Sequence, residues 1–358
     1  MFTTAMDDHP TYGTTPEMEY YDYEDTSETP AASLALYSVT FFLGTVGNGL
    51  VIWVIGFRMR KTANTVWFLN LAIADFAFCC TLPFSIVYTA LGYSWPFGNV
   101  MCKMTSGISV STMYGSIYML AAISFDRCLN VIAAVWARNH WTVWKATITC
   151  LIIWVLSVVL SIPYFYFRGT EQSENMTICS YNITSHQHRA LTVSRFMLGF
   201  LIPIIFIISC YSIIAFRFCT FKHKSSYRPF RVIVAVILVF IVCWTPFHIF
   251  QMLELKLHQH SNEYDFAEIK WIQRGISIST NIAFFNSCLN PILYVCMCKD
   301  FQKKARESIL KILESAFRDE LSQSWMSSRR STTQSECAGL EQRKNSTAVT
   351  DLFLVSTV

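Results

Sequence analysis

Seven apolar stretches, each long enough to cross a membrane as a helix, alternate with short polar connections along the chain. A hydrocarbon core about 30 Å thick takes about 20 residues of helix. The stretches run Leu34–Phe57, Val66–Leu91, Lys103–Val131, Ala146–Phe167, Leu191–Phe216, Val232–Leu253 and Gly275–Cys298. Four of them hold no Asp, Glu, Lys or Arg: the first, fourth, sixth and seventh. Asp75 alone breaks the second, and Arg195 alone breaks the fifth. The third is uncharged between Lys103 and Asp126-Arg127, and the sixth carries His248. A helix satisfies its own backbone hydrogen bonds without water. The pattern therefore predicts an all-α membrane protein, a bundle of seven transmembrane helices over 33–298.

The flanks differ in kind. Residues 1–32 form an acidic tail without Lys or Arg, holding Asp7, Asp8, Glu17, Glu19, Asp22, Glu24, Asp25 and Glu28. After the last span, Phe301, Ala305, Ile309, Ile312 and Phe317 recur at three to five residues with basic residues between them. That spacing predicts an amphipathic helix over 299–317 lying on the membrane surface; an ordinary solvated helix is the alternative. Ser, Thr and Arg dominate 318–358, which reads as disordered.

Composition agrees with this class. Of 358 residues, 53% are hydrophobic and 15% charged, against about 25% charged in soluble domains. Mean hydropathy is +0.36. The net charge of +4 is small and gives no reason to expect nucleic acid. Thirteen cysteines without repeated CxxC pairs argue against a zinc framework. Lys and Arg cluster in alternate connections: Arg58, Arg60 and Lys61; Arg127, Arg138 and Lys145; Arg217, Lys222, Lys224, Arg228 and Arg231. The charge rule places these inside, with the C-terminus, and the acidic N-terminal tail outside. Met1 to Pro30 has no apolar stretch behind a basic flank, so the first span is expected to act as an uncleaved anchor.

Charges inside spans are costly and mark functional sites. Asp75 has potential partners in Asn48, Ser116, Asn286 and Asn290. A carboxylate among neutral oxygens suits a small cation such as Na⁺; a polar network that only pins helices together is the other reading. Pro203, Pro246 and Pro291 each remove a helical hydrogen bond and allow a kink. Asp126-Arg127 ends the third span, where an interface charge that reaches water is the bland alternative.

The motifs together resemble the rhodopsin-type G-protein-coupled receptors over all seven spans. The pattern is carried by Gly47-Asn48, Asn70-Leu71-Ala72-Ile73-Ala74-Asp75, Asp126-Arg127-Cys128, Trp154 and Pro203 with Tyr211. It continues in Phe240, Cys243-Trp244-Thr245-Pro246 and Asn290-Pro291-Ile292-Leu293-Tyr294. Within that family the chain is most similar to chemoattractant peptide receptors, the chemerin and formyl-peptide branch. Trp95-Pro96-Phe97-Gly98, Val135-Trp136, Arg195-Phe196-Met197-Leu198-Gly199-Phe200 and Leu253-Glu254-Leu255 carry this finer likeness.

The resemblance implies a disulfide between Cys102 and Cys179. It also implies a ligand cavity bordered by Arg195, Glu254, His248, Phe247 and Trp95. Arg195 falls where these receptors carry a ligand-contacting arginine, which suits a ligand's C-terminal carboxylate; an internal pair with Glu254 is the alternative. Asn175 and Asn182 head glycosylation acceptors in the outer connection after the fourth span. Tyr20, Tyr21 and Tyr23, flanked by acids, are sulfation candidates, and the tail would attract a basic ligand.

Activation and coupling are expected to use Asp126, Arg127, Trp244, Phe240, Tyr211, Asn290, Pro291 and Tyr294. The expected function is a plasma-membrane receptor for a chemotactic peptide or small protein, chemerin-like, acting through a Gi-type heterotrimeric G protein. Receptor kinases and arrestin are expected on Ser322, Ser324, Ser327, Ser328, Ser331, Thr332, Thr333 and Ser335. A non-signalling decoy is the alternative, because Ala133-Ala134-Val135-Trp136 stands where relatives read Pro-Val-Trp. No Ser/His/Asp triad, phosphate loop or HExxH motif points to an enzyme. No cofactor is expected beyond an allosteric Na⁺.

Overall fold

The structure, a computed structural model, describes residues 29–140, 142–173, 176–221, 228–259, 265–297, 302–307 and 310. Its helices are α1 (Thr29–Trp53), α2 (Ala63–Cys79), α3 (Leu82–Ala90), α4 (Gly98–Ile132) and α5 (Ala134–His140). They continue as α6 (Val143–Phe167), α7 (Ser185–Phe196), α8 (Ile202–Phe221), α9 (Arg228–Gln259) and α10 (Phe266–Met297). Strands β1 (Arg168–Ser173) and β2 (Met176–Tyr181) form an antiparallel hairpin between α6 and α7, with Thr170 opposite Cys179.

Among the described residues, six helical stretches are long and apolar enough to cross a membrane: Pro30–Arg58, Ala63–Ala90, Gly98–Ile132, Val143–Phe167, Ser185–Arg217 and Ile233–Leu257. The seventh expected span is α10, 32 residues long. It is less apolar because it carries polar side chains that it turns inward. Asn281, Asn286, Ser287 and Asn290 are all buried.

The bundle is apolar outside as well as inside, as lipid requires. α4 runs through its middle: 67% of its most apolar window is buried, against 28% for α6. Leu151, Ile152, Val155 and Val158 of α6 stand exposed on the outer face. The main core joins Trp67 and Leu71 of α2, Ile117, Leu120 and Ile123 of α4, Ile207 of α8, and Ile237 and Phe240 of α9.

Breaks divide the second and fifth predicted spans. Pro83 lacks the N–H that would bond the carbonyl of Cys79, and the second span divides into α2 and α3 there. Thr81 closes the gap, its hydroxyl donating to the Phe78 carbonyl at 2.7 Å. In the fifth span a π-helical turn, Met197–Leu201, joins α7 to α8 just before Pro203. Ile202 N–H bonds Met197 O, five residues back. That leaves the Leu198 carbonyl without its helical donor, and Tyr118 of α4 donates its hydroxyl to it at 3.0 Å. Gly199 lets the turn lie against α4. A Cβ there would meet Met113 Cε at 3.0 Å and Tyr114 Cε1 at 3.2 Å.

Pro291 frees the carbonyl of Ser287 in α10 in the same way. Asn48 of α1 donates its amide to that carbonyl at 2.8 Å. Gly47 permits the close approach, since a Cβ there would meet Pro291 Cβ at 3.0 Å. Each proline break in the fifth and seventh spans is thus repaired by a polar side chain from another helix.

Of the helix expected over 299–317, residues 302–307 and 310 are described. Ala305 is buried in the main core, and Gln302, Lys303 and Arg306 are exposed. Phe301, Ile309, Ile312 and Phe317 lie outside the described residues, as do Tyr20, Tyr21, Tyr23, Asn175 and the eight Ser/Thr positions from Ser322 to Ser335.

Candidate functional site

A cavity of about 260 Å³ opens beneath the hairpin and reaches down between the helices to Asp75. Trp95, Arg168, Cys179 and Tyr181 line its hairpin end. Cys179 is joined to Cys102 of α4 by a disulfide, with Cα atoms 5.8 Å apart. Trp95 N–H donates to the Thr177 carbonyl at 2.7 Å, and its ring packs on Tyr88 and Phe97. Strand β2 is therefore held to α4 covalently and to the segment before it by a backbone bond.

Arg195, Trp244 and Phe247 form one wall. The Arg195 guanidinium lies 5.3 Å from the Phe247 ring centre and 5.6 Å from that of Tyr164. Such contacts with aromatic rings stabilise a cation away from water. Tyr164 is fixed in turn, its hydroxyl donating to the Leu191 carbonyl at 2.8 Å. Arg195 Nη2 donates to Gln251 Oε1. Gln251 Nε2 donates to Glu254 Oε2 at 2.9 Å. The link between Arg195 and Glu254 therefore runs through Gln251, which sequence reading did not single out.

Two expected cavity residues stand elsewhere. Glu254 is not in the cavity lining but one hydrogen bond behind Gln251. His248, 2% exposed, is not in the lining either. It packs among the rings of Phe196, Phe200, Trp244 and Phe247, with Phe200 at 4.5 Å. The reason is rotational: adjacent helical residues point about 100° apart. With Phe247 facing the cavity, His248 turns toward the fifth span.

The floor holds Asp75, Ser116, Asn286 and Ser287. Asn290 Nδ2 donates to Asp75 Oδ2 at 2.7 Å. Asn48, a potential partner of Asp75, spends its amide on the Gly44 and Ser287 carbonyls instead. The side-chain oxygens of Asn48, Asn286 and Asn290 are buried without a hydrogen-bond partner among the described residues. A carboxylate with surplus neutral oxygens is a donor set for a hard cation. Ser287 is the addition the structure makes to the expected set; its neighbour Asn286 was the available signal.

Trp244 ties the cavity to the rest of α9. Its ring lies 5.7 Å from Phe240, which is part of the main core. Pro246 sits two residues on, within the helix. At the end remote from the hairpin, Arg127 pairs with Asp126 at 3.2 Å. Asn130 Nδ2 donates to the same carboxylate at 3.2 Å. Arg127 Nη2 donates to Asn64 Oδ1 at the start of α2. Tyr211 packs there with Cys128, Cys210 and Ile214. Tyr294 lies in α10, but its side chain is outside the described residues. Trp154 donates to Asn70 Oδ1 at 3.1 Å, joining α6 to α2. Asn182 is exposed beside the hairpin, and Thr184, the third residue of its acceptor, caps α7 by accepting from Gln187 N.

Residues 47–294 match the family described as "7 transmembrane receptor (rhodopsin family)". The chain belongs to this family. Among curated relatives, it is 40% identical over 309 residues to chemerin-like receptor 2 of Rattus norvegicus, covering 83% of this chain and 86% of that one. It is 38% identical over 338 residues to chemerin-like receptor 1 of the same organism, covering 88% and 89%. The C3a anaphylatoxin chemotactic receptor of Danio rerio is 38% identical over 310 residues, covering 85% and 84%. As a rhodopsin-family receptor of the chemerin-like receptor type, this chain is a multi-pass membrane protein and not an enzyme. The Arg127 cluster, the Trp244 stack and the Asp75 floor occupy the family's motif positions named above.

Proposed function

We propose that this chain is a plasma-membrane receptor for a chemotactic peptide or small protein, with hairpin and N-terminus outside. The ligand class suggested is that of chemerin or of complement-derived peptides, as in the names of its relatives. The observation that carries this is Arg195: a cation held beside two rings, lining a cavity that opens at the hairpin. An aromatic-walled cavity with one fixed guanidinium suits the C-terminal carboxylate of a peptide inserted end-first. A ligand stabilises one packing of the bundle only through unequal affinity for the two. Trp244 lines the cavity and stacks on Phe240, so it is the group through which occupancy would bias α9. Outward movement of α9 would expose Arg127 and Tyr211 to the C-terminal helix of a Gi-type G protein.

The accessory calls belong to the same proposal. Na⁺ sits at Asp75 with Ser116, Asn286 and Asn290. The tail over 1–32 draws ligand electrostatically, aided by sulfation of Tyr20, Tyr21 and Tyr23. Glycans occupy Asn175 and Asn182. The helix over 299–317 lies on the inner leaflet. Receptor kinases and arrestin act on the 318–358 segment. A decoy that binds without signalling is the second reading, supported by Ala134 at the first position of α5.

Chemerin, formyl and complement-derived peptides, each applied with G-protein activation and arrestin recruitment read separately, test the ligand class. Arg195→Ala tests the site. Agonist potency should fall roughly ten- to a hundredfold, the range expected for hydrogen bonds to a charged group. A C-terminally amidated agonist should lose less than the free acid. Equal losses would overturn the carboxylate role.

A further inference from the structure

The arrangement behind Arg195 is a chain of three side chains on two helices. Glu254 accepts from Gln251 Nε2 at 2.9 Å, and Gln251 Oε1 accepts from Arg195 Nη2. Gln251 and Glu254 are one turn apart on α9, while Arg195 closes α7. Gln251 is absent from the cavity lining, and Arg195 is part of it. Gln251 therefore holds the guanidinium from behind.

We infer that Gln251 is a positioning residue that orients the Arg195 fork while leaving its charge uncancelled for an anionic ligand group. The inference deepens the carboxylate reading above and rests on it. Three physical points support it.

An amide has one acceptor end and one donor end. Glu254 is an acceptor toward Gln251 and fixes the donor end, so the amide oxygen must face Arg195. The orientation of Gln251 is thus dictated by Glu254 and not by chance packing.

A guanidinium presents its donors in one plane, in a rigid fork that matches a carboxylate on a paired edge. Rings of Tyr164 and Phe247 lie beside this one at 5.6 and 5.3 Å. A bond from Gln251 to Nη2 removes the remaining freedom of rotation in the plane. Arg195 still lines the cavity and has further N–H donors beyond the one that Gln251 engages.

The third point is the neutrality of the spacer. If Glu254 bonded Arg195 directly, the pair would be neutral and a ligand carboxylate would have to break it or bind beside it. With Gln251 between them, the acidic group anchors the cation's position without spending the cation's charge. Gln251 offers Arg195 a neutral acceptor, whereas a ligand carboxylate would bring an ionised acceptor to an ionised donor, with a paired-edge geometry that an amide oxygen cannot supply.

The decisive variant is Gln251→Glu. It retains an acceptor of the same length against Arg195 but adds a negative charge. Potency of the free-acid form of the C-terminal chemerin peptide should fall roughly ten- to a hundredfold. Potency of the C-terminally amidated form should change far less, so preference for the acid over the amide collapses. Gln251→Leu, which loses the bond without adding charge, should lower free-acid potency less than Gln251→Glu does. If Gln251→Glu preserves the acid-over-amide preference while Arg195→Ala abolishes it, the spacer role is overturned and the carboxylate reading survives. If Arg195→Ala treats acid and amide alike, the carboxylate reading itself has failed.

A ligand-free measurement keeps the structural half decidable with any agonist. In purified full-length receptor, Arg195→Leu and Gln251→Leu should each lower the melting temperature. The lowering in the double variant should be smaller than the sum of the two single shifts, since both remove one shared bond and only Gln251→Leu also removes the bond to Glu254. Additive lowering would show that the two side chains do not depend on each other and would overturn the inference.

Discussion

Asn290 donates its amide to the Asp75 carboxylate at 2.7 Å, joining α10 to α2 across 215 positions of sequence. The bond ends one side of a polar layer that Asn48 continues into α1 through the Ser287 carbonyl. Three helices are thereby tied at the depth where the cavity ends. Any group that binds on the Asp75 floor is read by all three.

The first prediction concerns that floor. Binding to one state stabilises it according to ligand concentration over Kd, so Na⁺ held there should oppose agonist affinity. In Asp75→Asn, replacing NaCl by an organic-cation chloride at constant ionic strength should leave agonist affinity unchanged. In the wild type the same exchange should raise it several-fold. Persistent sodium sensitivity in the variant would place the ion elsewhere.

The second concerns Asn64. Arg127 donates to it while pairing with Asp126 at 3.2 Å. Asn64→Ala removes the tie to α2 but leaves the pair on α4 intact. Arg127 is 16% exposed, so the bond contributes toward the low end of about 1.5–3 kcal/mol. Agonist-free nucleotide exchange on the G protein should rise by up to about tenfold. Unchanged exchange would remove α2 from the restraint on Arg127.

Ala134 begins α5, and the helical bond there runs from Ala137 N to Ala133 O, without the Ala134 N–H. Proline is well tolerated at the first position of a helix. Ala134→Pro should therefore leave expression and ligand affinity unchanged and increase G-protein activation, by stiffening the connection after the third span. If the wild type already couples fully, the decoy reading falls and Ala134 is a neutral replacement.

The tail supplies the fourth test. Phosphorylation adds about −1.5 to −2 charges per site at pH 7. Eight Ser and Thr between Ser322 and Ser335 would thus form an anionic strip suited to a basic arrestin surface. Replacing all eight with alanine should reduce agonist-driven arrestin recruitment and internalisation and spare the first G-protein response. Unaltered recruitment would move the sites to Ser346, Thr347 and Thr350 or to the loops.

The helices and the depth of the polar groups were legible because an apolar run of membrane length admits few other folds. Asp75 and Arg195 stood out by charge alone. Asn290 was among the partners the sequence offered Asp75, whereas the hydrogen-bond partner of Arg195 was not foreseen. Gln251 is an unremarkable amide on an apolar helix, and its role depends on Arg195 arriving from another helix. Asn48 was one of four candidate partners of Asp75, and the Ser287 carbonyl freed by Pro291 takes its amide instead. The place of His248 was not legible, since the choice between Phe247 and its neighbour for the cavity face depends on how α9 is rotated against the fifth span. The route through Asn64 carried no signal, because a polar residue at the start of α2 reads as a capping position.

The π-helical turn at Met197–Leu201 acts as a change of phase within one helix. One added residue rotates everything before it by about 100° relative to everything after it. Arg195 lies on one side of that step and Tyr211 on the other. The end of the helix that lines the cavity and the end that packs beside the Arg127 cluster therefore obey separate angular registers. Sequence change in one half can be tuned to a new ligand without turning the other half away from its packing partners.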